Sequence, residues 1–186
     1  MPTILFICTG NVFRSVTAEY ALKARLGPGT KLIVGSAGIE AKPQPVHPMI
    51  IEYLRAKGTD PSAHIQRKLT RELLESADLA VAMGFDHRDF IREQFGRAVP
   101  LFNQVCFEKE EPVLDVHEVL PNWLEDMAAA RAYVKSVVDH IWDSAPALLA
   151  RLPRRCSAVL LRLFDFCPGI AEGHGAVEGE QAFCRI

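Results

Sequence analysis

The chain has 186 residues, of which 49% are hydrophobic and 24% charged, and a formal net charge of −2. These values suit one well-packed globular domain with room for an appendage, and they exclude a low-complexity or fibrous chain. A nearly balanced charge gives no basic footprint for nucleic acid and no polybasic patch for a membrane surface. The five cysteines are an odd number at spacings that fit neither a disulfide framework nor a zinc site, which favours a reducing compartment. The start lacks a basic leader before its short apolar run, and Leu160–Phe166 is interrupted by Arg162 and Asp165. The expectation is a cytoplasmic protein without a membrane segment, metal or cofactor.

In chain order, Ile4-Leu5-Phe6-Ile7 reads as a buried strand. Cys8 follows directly, then a loop of Thr9, Gly10, Asn11, Val12 and Phe13, then Arg14 and Ser15, with a helical pattern from Val16. A strand, a glycine-containing loop and a helix start make a site for an oxyanion, because backbone N–H groups and the positive end of the helix dipole converge there. The same field favours the thiolate of Cys8 and makes it a nucleophile. Arg14 carries a planar fork able to grip two phosphate oxygens, and Ser15 can donate a hydrogen bond to the sulfur. The bland alternative, a buried strand-end cysteine and a solvated arginine, leaves the convergence of Gly, Asn, Arg and Ser on one turn unexplained.

Gly27-Pro28-Gly29 ends the first helix, Lys31–Val34 reads as a second strand, and Gly35-Ser36-Ala37-Gly38 as a turn after it. A loop rich in proline (Pro43, Pro45, Pro48) leads into a helix over about 47–57, and Thr70 caps a short helix over 70–75. Leu79–Met83 is a third buried strand, followed by a helix over about 87–95. Val99–Phe102 reads as a short fourth strand, with Pro100 suggesting an edge. Residues 103–118 read as an acidic irregular loop, and apolar residues at three- and four-residue spacing predict a long helix over 121–143. Strands alternating with helices imply a parallel, doubly wound α/β sheet. The segment 144–186 holds one amphipathic stretch (Ala158–Phe166), a glycine-rich run, and Cys156, Cys167 and Cys184 without paired spacing. It reads as a loosely ordered extension to a domain over 1–143.

The Cys8–Ser15 segment closely resembles the signature of the low-molecular-weight protein tyrosine phosphatases, which also lies after the first strand. Gly35–Gly38, Ala63–Thr70 and Ala80–Met83 resemble that family's later landmarks in the same order. The resemblance implies a four-stranded, flavodoxin-like parallel sheet with helices on both faces, and a phosphatase that hydrolyses phosphotyrosine in proteins through a cysteinyl-phosphate. Cys8 would be the nucleophile, Arg14 the phosphate clamp, and residues 9–13 and Ser15 the phosphate loop. Ser36 and His64 would support that loop, although a plain turn serine and a solvated or capping histidine are equally consistent with the residues.

The general acid by resemblance is an aspartate in the late loop, here Asp115, with Val116 where the family carries proline; Glu111 and Glu118 are the alternatives. Phe13 replaces a cysteine common in the family, so Cys8 has no neighbouring resolving thiol there. Val12 occupies a position that a phosphoarginine-specific relative fills with threonine, which favours an aromatic ester. Phe13 and a residue near His117 would flank the ring, with His117 standing where the family often has an aromatic. Two rivals share the fold. Arsenate reductases need two further relay cysteines, but residues 80–95 contain none and Cys106 stands alone. A catalytically weak phosphate-binding module stays open because of Val116.

Overall fold

The computed structural model describes residues 1–152; the expectations for Ala158–Phe166 and for Cys156, Cys167 and Cys184 lie outside them. The described chain is an α/β fold built on a parallel sheet of order β2-β1-β3, with β1 at Thr3–Cys8, β2 at Ile33–Gly38 and β3 at Leu79–Ala82. The register pairs Phe6 with Ser36 and Val81, and Cys8 with Gly38. Every residue of β1 from Ile4 to Cys8 is buried, because the strand lies in the middle of the sheet with helices on both faces.

Alternation along β1 divides the core into two layers. Ile4, Phe6 and Cys8 face a cluster that includes Val16 and Leu22 of α1 (Arg14–Lys23), Ile50 and Leu54 of α2 (Pro48–Ala56), and Val138 and Ile141 of the last helix. Leu5 and Ile7 face the other cluster, with Leu74 of α3 (Arg71–Glu75) and Ile91 of α4 (Phe85–Phe95). Helix α1 is enclosed nearly all round, which explains why Thr17 and Glu19 are buried beside Val16 and Leu22.

Five elements depart from the sequence expectation. Gly35–Gly38, read as a turn, forms the last four of the six residues of β2. Its small residues carry little intrinsic strand preference, and pairing with β1 overrides it. Val99–Phe102, read as a fourth strand, contributes only a parallel bridge between Leu101 and Ala82. Pro100 has no N–H to extend the ladder, and Phe102 opens α5 (Phe102–Phe107). That helix, absent from the expected loop over 103–118, buries Phe102 and Cys106 one turn apart, with the rings of Phe102 and Phe6 at 6.2 Å between centroids. The rest of the expected loop also holds α6 (Val116–Val119).

The last helix, α7, spans Met127–Arg151 rather than 121–143. Asp126 caps it by accepting a hydrogen bond from the Ala129 N–H at 2.9 Å, so Trp123 and Leu124 sit in the turn before it. The helix continues through Pro146, held by the burial of Ala145 and Leu148. Among the described residues no helix is long and apolar enough to cross a membrane.

Candidate active site

Cys8 ends β1 and α1 begins at Arg14, so residues 9–13 close the gap at the carboxyl end of the sheet. Phe13, at the N-cap position, offers no side-chain hydrogen bond. The first N–H groups of α1 are therefore left to a ligand rather than to a cap. Asn11 makes the turn possible with φ +54°, a left-handed conformation that asparagine tolerates better than most residues. Gly38, the register partner of Cys8, lets the loop pass closely. A Cβ there would lie 2.5 Å from the Thr9 carbonyl oxygen and 2.9 Å from the Asn11 nitrogen.

The Asn11 amide is fully engaged. Its Nδ2 donates to Ser36 Oγ at 2.8 Å and to Ser15 Oγ at 3.1 Å, while its Oδ1 accepts from the Arg67 N–H at 3.0 Å. His64 Nε2 lies 3.2 Å from the same Oδ1 and must carry the proton, because an amide oxygen only accepts. Ser36 in turn donates to Glu19 Oε2 at 2.5 Å, and Lys23 pairs with the other oxygen of that carboxylate. Burial pushes His64 below its ordinary value, against the raising influence of Glu19. Ser36 and His64 thus both meet the loop through Asn11.

This network fixes the Ser15 hydroxyl. Its oxygen already accepts from Asn11, so its proton is free to point at Cys8 Sγ, 2.9 Å away. Cys8 is 3% exposed, with the sulfur at the inner end of the loop.

Arg14 is 2% exposed, a guanidinium held inside the protein by three partners in the segment 113–118. Its Nη1 donates to the Val113 carbonyl at 2.8 Å and meets Glu118 at 3.4 Å, and its Nη2 lies 2.9 Å from Asp115 Oδ2. Nε is buried and has no partner among the described residues. A buried charged donor without an acceptor is costly, and it marks where an anion would bind.

Asp115 therefore reaches the loop from the far side of the sequence. It also caps α6, accepting from the Val116 N–H at 2.7 Å, a donor that a proline at 116 could not supply. Glu118 completes a reciprocal capping arrangement by accepting from the Asp115 N–H at 2.5 Å. Glu111, the other alternative acid, is exposed; its carbonyl accepts from Asn103.

Two participants carry no signal in the sequence reading. Glu19 lies one turn beyond Ser15, and nothing local distinguishes it from a surface charge. His87, fully buried on α4, places Nε2 2.9 Å from Thr9 Oγ1, which itself lies 3.5 Å from Arg14 Nη2. Burial, reinforced by the Arg14 charge, lowers His87 to about 4, so its ring is neutral around pH 7. Its Nδ1 lies 3.1 Å from Asp86 Oδ1 without forming an aligned hydrogen bond.

A buried thiol at the end of the first strand of a parallel α/β sheet, a loop of convergent amides and an inward arginine define a cysteine-based oxyanion-binding protein. The family model for low molecular weight phosphotyrosine protein phosphatase matches residues 3–158, and the chain belongs to that family. It is 42% identical over 96 residues to a protein-arginine-phosphatase of Bacillus subtilis, a stretch covering 50% of this chain and 63% of that one. The match thus spans less than two thirds of that relative. It is 37% identical over 115 residues to the low molecular weight protein-tyrosine-phosphatase Etp of Escherichia coli, covering 59% of this chain and 75% of the relative. Among solved structures, the YwlE arginine phosphatase with a phosphorylated active-site serine superposes at a TM-score of 0.69 and 30% identity, over 82% of this chain and 96% of that one.

Proposed function

We propose that this protein hydrolyses phosphotyrosine in proteins through a cysteinyl-phosphate, with Cys8 as nucleophile, Arg14 as phosphate clamp and Asp115 as general acid and base. The observation that carries the reading is the meeting of Cys8, Arg14 and Asp115 at one loop, with Arg14 Nε buried and unpartnered among the described residues. The N–H groups of Thr9 to Ser15 and the guanidinium take the non-bridging oxygens. The Cys8 thiolate attacks phosphorus, an S–P bond forms and the P–O bond to the tyrosine breaks. Asp115 in its acid form gives its proton to the departing phenolate oxygen. Water then attacks the same phosphorus, Asp115 takes its proton, the S–P bond breaks, and orthophosphate leaves with the thiolate restored. The Ser15 hydroxyl supports the sulfur anion before attack and again as the S–P bond breaks.

Val12, beside Phe13 and His117 in the lining of one cavity, supports an aromatic ester over phosphoarginine. Against arsenate reduction stands Cys106, the other free cysteine among the described residues. It is buried and its thiol is pushed up to about 12, unsuited to relay a disulfide. A reducing compartment, the cytoplasm, suits the thiolate.

Turnover of p-nitrophenyl phosphate, phosphotyrosine peptide and phosphoarginine peptide by wild type and Cys8→Ser tests the proposal. Hydrolysis of the first two by wild type, lost in Cys8→Ser while phosphate still binds, is the expected result. A preference for phosphoarginine would overturn the substrate assignment. Binding without turnover would make the protein a phosphate-binding module, and arsenate-dependent thiol oxidation would make it a reductase.

A further inference from the structure

The loop that carries Asp115 is fastened to the fold by side chains that reach it from elsewhere. The Glu111 carbonyl accepts from Asn103 Nδ2 at 3.2 Å, and the Pro112 carbonyl from the same nitrogen at 3.4 Å. The Val113 carbonyl accepts from Arg14 at 2.8 Å, and the Leu114 carbonyl from Tyr133 Oη of α7 at 3.1 Å. On its other edge the Val113 N–H donates at 2.7 Å to the carbonyl of Met83, just past the end of β3. Every carbonyl from Glu111 to Leu114 thus finds its donor outside the loop. The first two depend on one amide, that of Asn103 on α5, which is 7% exposed.

Asn103 is itself held in one orientation. Its Nδ2 faces two carbonyls, which only accept, so its Oδ1 is turned the other way, toward His140 of α7. His140 Nε2 lies 2.8 Å from that oxygen and must carry the proton, because an amide oxygen has none to give. The imidazole packs edge-on to Phe102 at 6.4 Å between centroids and against Phe107 at 6.1 Å, so α5 fixes the ring that fixes its own asparagine. Without the His140 donor the amide is free to flip, which would set its oxygen against the carbonyls of Glu111 and Pro112. Acceptor facing acceptor is unfavourable, and a buried carbonyl without a donor is costly. The relay therefore determines where residues 111–114 leave the sheet and where Asp115 arrives beside Arg14.

We propose that Asn103, oriented by His140, is a positioning residue for the proton transfer of Asp115. Neither side chain touches substrate: the amide sets the loop, and the loop sets the carboxylate against the departing oxygen. The inference rests on the phosphatase reading for the role of Asp115, and amide hydrogen exchange in the loop separates the two. A catalytic group displaced by about 1 Å loses up to about 100-fold in rate. For a proton donor the loss is greatest where the leaving oxygen is most basic.

The test measures kcat/KM, which follows the step in which the aryl oxygen leaves, on two esters. Phenyl phosphate releases a basic phenolate that needs a proton, and p-nitrophenyl phosphate one that needs little help. His140→Leu and Asn103→Leu should lower kcat/KM on phenyl phosphate by about 10- to 100-fold, and at least about threefold less on p-nitrophenyl phosphate. Inhibition by inorganic phosphate, which uses the loop amides and Arg14 Nε, should stay near wild type. His140→Gln, whose side-chain amide still donates to Asn103, should recover most of the loss. The Val113, Asp115 and Val116 N–H groups should exchange faster in both leucine variants, with those of β1 unchanged. His140→Leu, at a helix-surface position, keeps the test alive if Asn103→Leu fails to fold. Equal losses on the two esters, no recovery in His140→Gln, or loop exchange at the wild-type rate would each overturn the positioning role. Faster loop exchange in the variants, with neither ester hydrolysed by wild type, would defeat the phosphatase reading and leave Asn103 as an anchor of the loop alone.

Discussion

Asp115 Oδ2 lies 2.9 Å from Arg14 Nη2, joining the proposed acid to the proposed clamp across a hundred residues of sequence, with Arg14 2% and Asp115 21% exposed. Glu118 adds a second carboxylate at 3.4 Å from Nη1. In this state the guanidinium charge is balanced from within, and an incoming phosphate meets two resident anions. Nη2 holds Asp115, and the unpartnered Nε is the nitrogen left for an incoming phosphate, so acid and anion meet on one guanidinium.

The first consequence concerns Asp115→Asn. Removing the acid should lower kcat by about 10²–10⁴-fold, the usual worth of a positioned proton donor. The substitution also removes a competing charge from Arg14, so inorganic phosphate should inhibit Asp115→Asn at least as well as wild type. Steady-state kinetics on p-nitrophenyl phosphate with phosphate as inhibitor reads both quantities. A kcat within threefold of wild type would move the acid role to another carboxylate, with Glu118 next in place.

Arg14→Lys should lose both binding and rate. An ammonium cannot reproduce the fork that holds the Val113 carbonyl and Asp115 while presenting Nε to an anion. Each charge-assisted hydrogen bond lost is worth about 1.5–3 kcal/mol, so phosphate inhibition should weaken by more than tenfold. Protection of Cys8 from iodoacetamide by phosphate should weaken in parallel. Wild-type turnover by Arg14→Lys would refute the clamp.

Gly38→Ala tests the close approach of the loop to β2. The added methyl would sit 2.5 Å from the Thr9 carbonyl oxygen, and both are backbone positions in a paired strand and a tight loop. Relief needs the loop to move, at a cost of about 1–3 kcal/mol typical of overpacking. A lower melting temperature and weaker phosphate inhibition should appear together; a drop in stability with unchanged phosphate binding would mean the loop position is set elsewhere.

The buried imidazole of His87 predicts a pH effect on stability. Its folded value is lowered from 6.5 to about 4, first by burial and then by Arg14. Between those values the unfolded chain takes up a proton that the folded state refuses. Stability is therefore full above pH 6.5 and is lost as the pH falls toward 4. His64 and His140, also lowered by burial, act in the same direction. Urea midpoints at pH 7.5 and 5 should differ less for His87→Gln than for wild type, and an unchanged difference would show that other groups set the slope.

How the sequence disclosed these features follows from how local each one is. Cys8, Gly10, Asn11, Arg14 and Ser15 fall within one strand-loop-helix junction, so residue type and spacing alone placed them at a phosphate loop. The strand β3 and the cap of α3 are similarly legible, from an apolar run and from Thr70. By contrast, β2 was read short because Gly35–Gly38 has no local reason to be extended, and α5 was missed because Phe102 and Cys106 acquire their common face only against the sheet.

The sequence by itself determined the thiol, the arginine and the backbone turn that joins them, since covalent connection already holds them within one loop. Only the tertiary structure decided which acid meets Arg14, that His87 backs Thr9, and that Phe13, Trp123 and Ala130 enclose one cavity. Those relations join segments whose separation along the chain carries no information about distance. They are settled by the burial of α7 and the sheet, a property of the whole chain that no single stretch encodes.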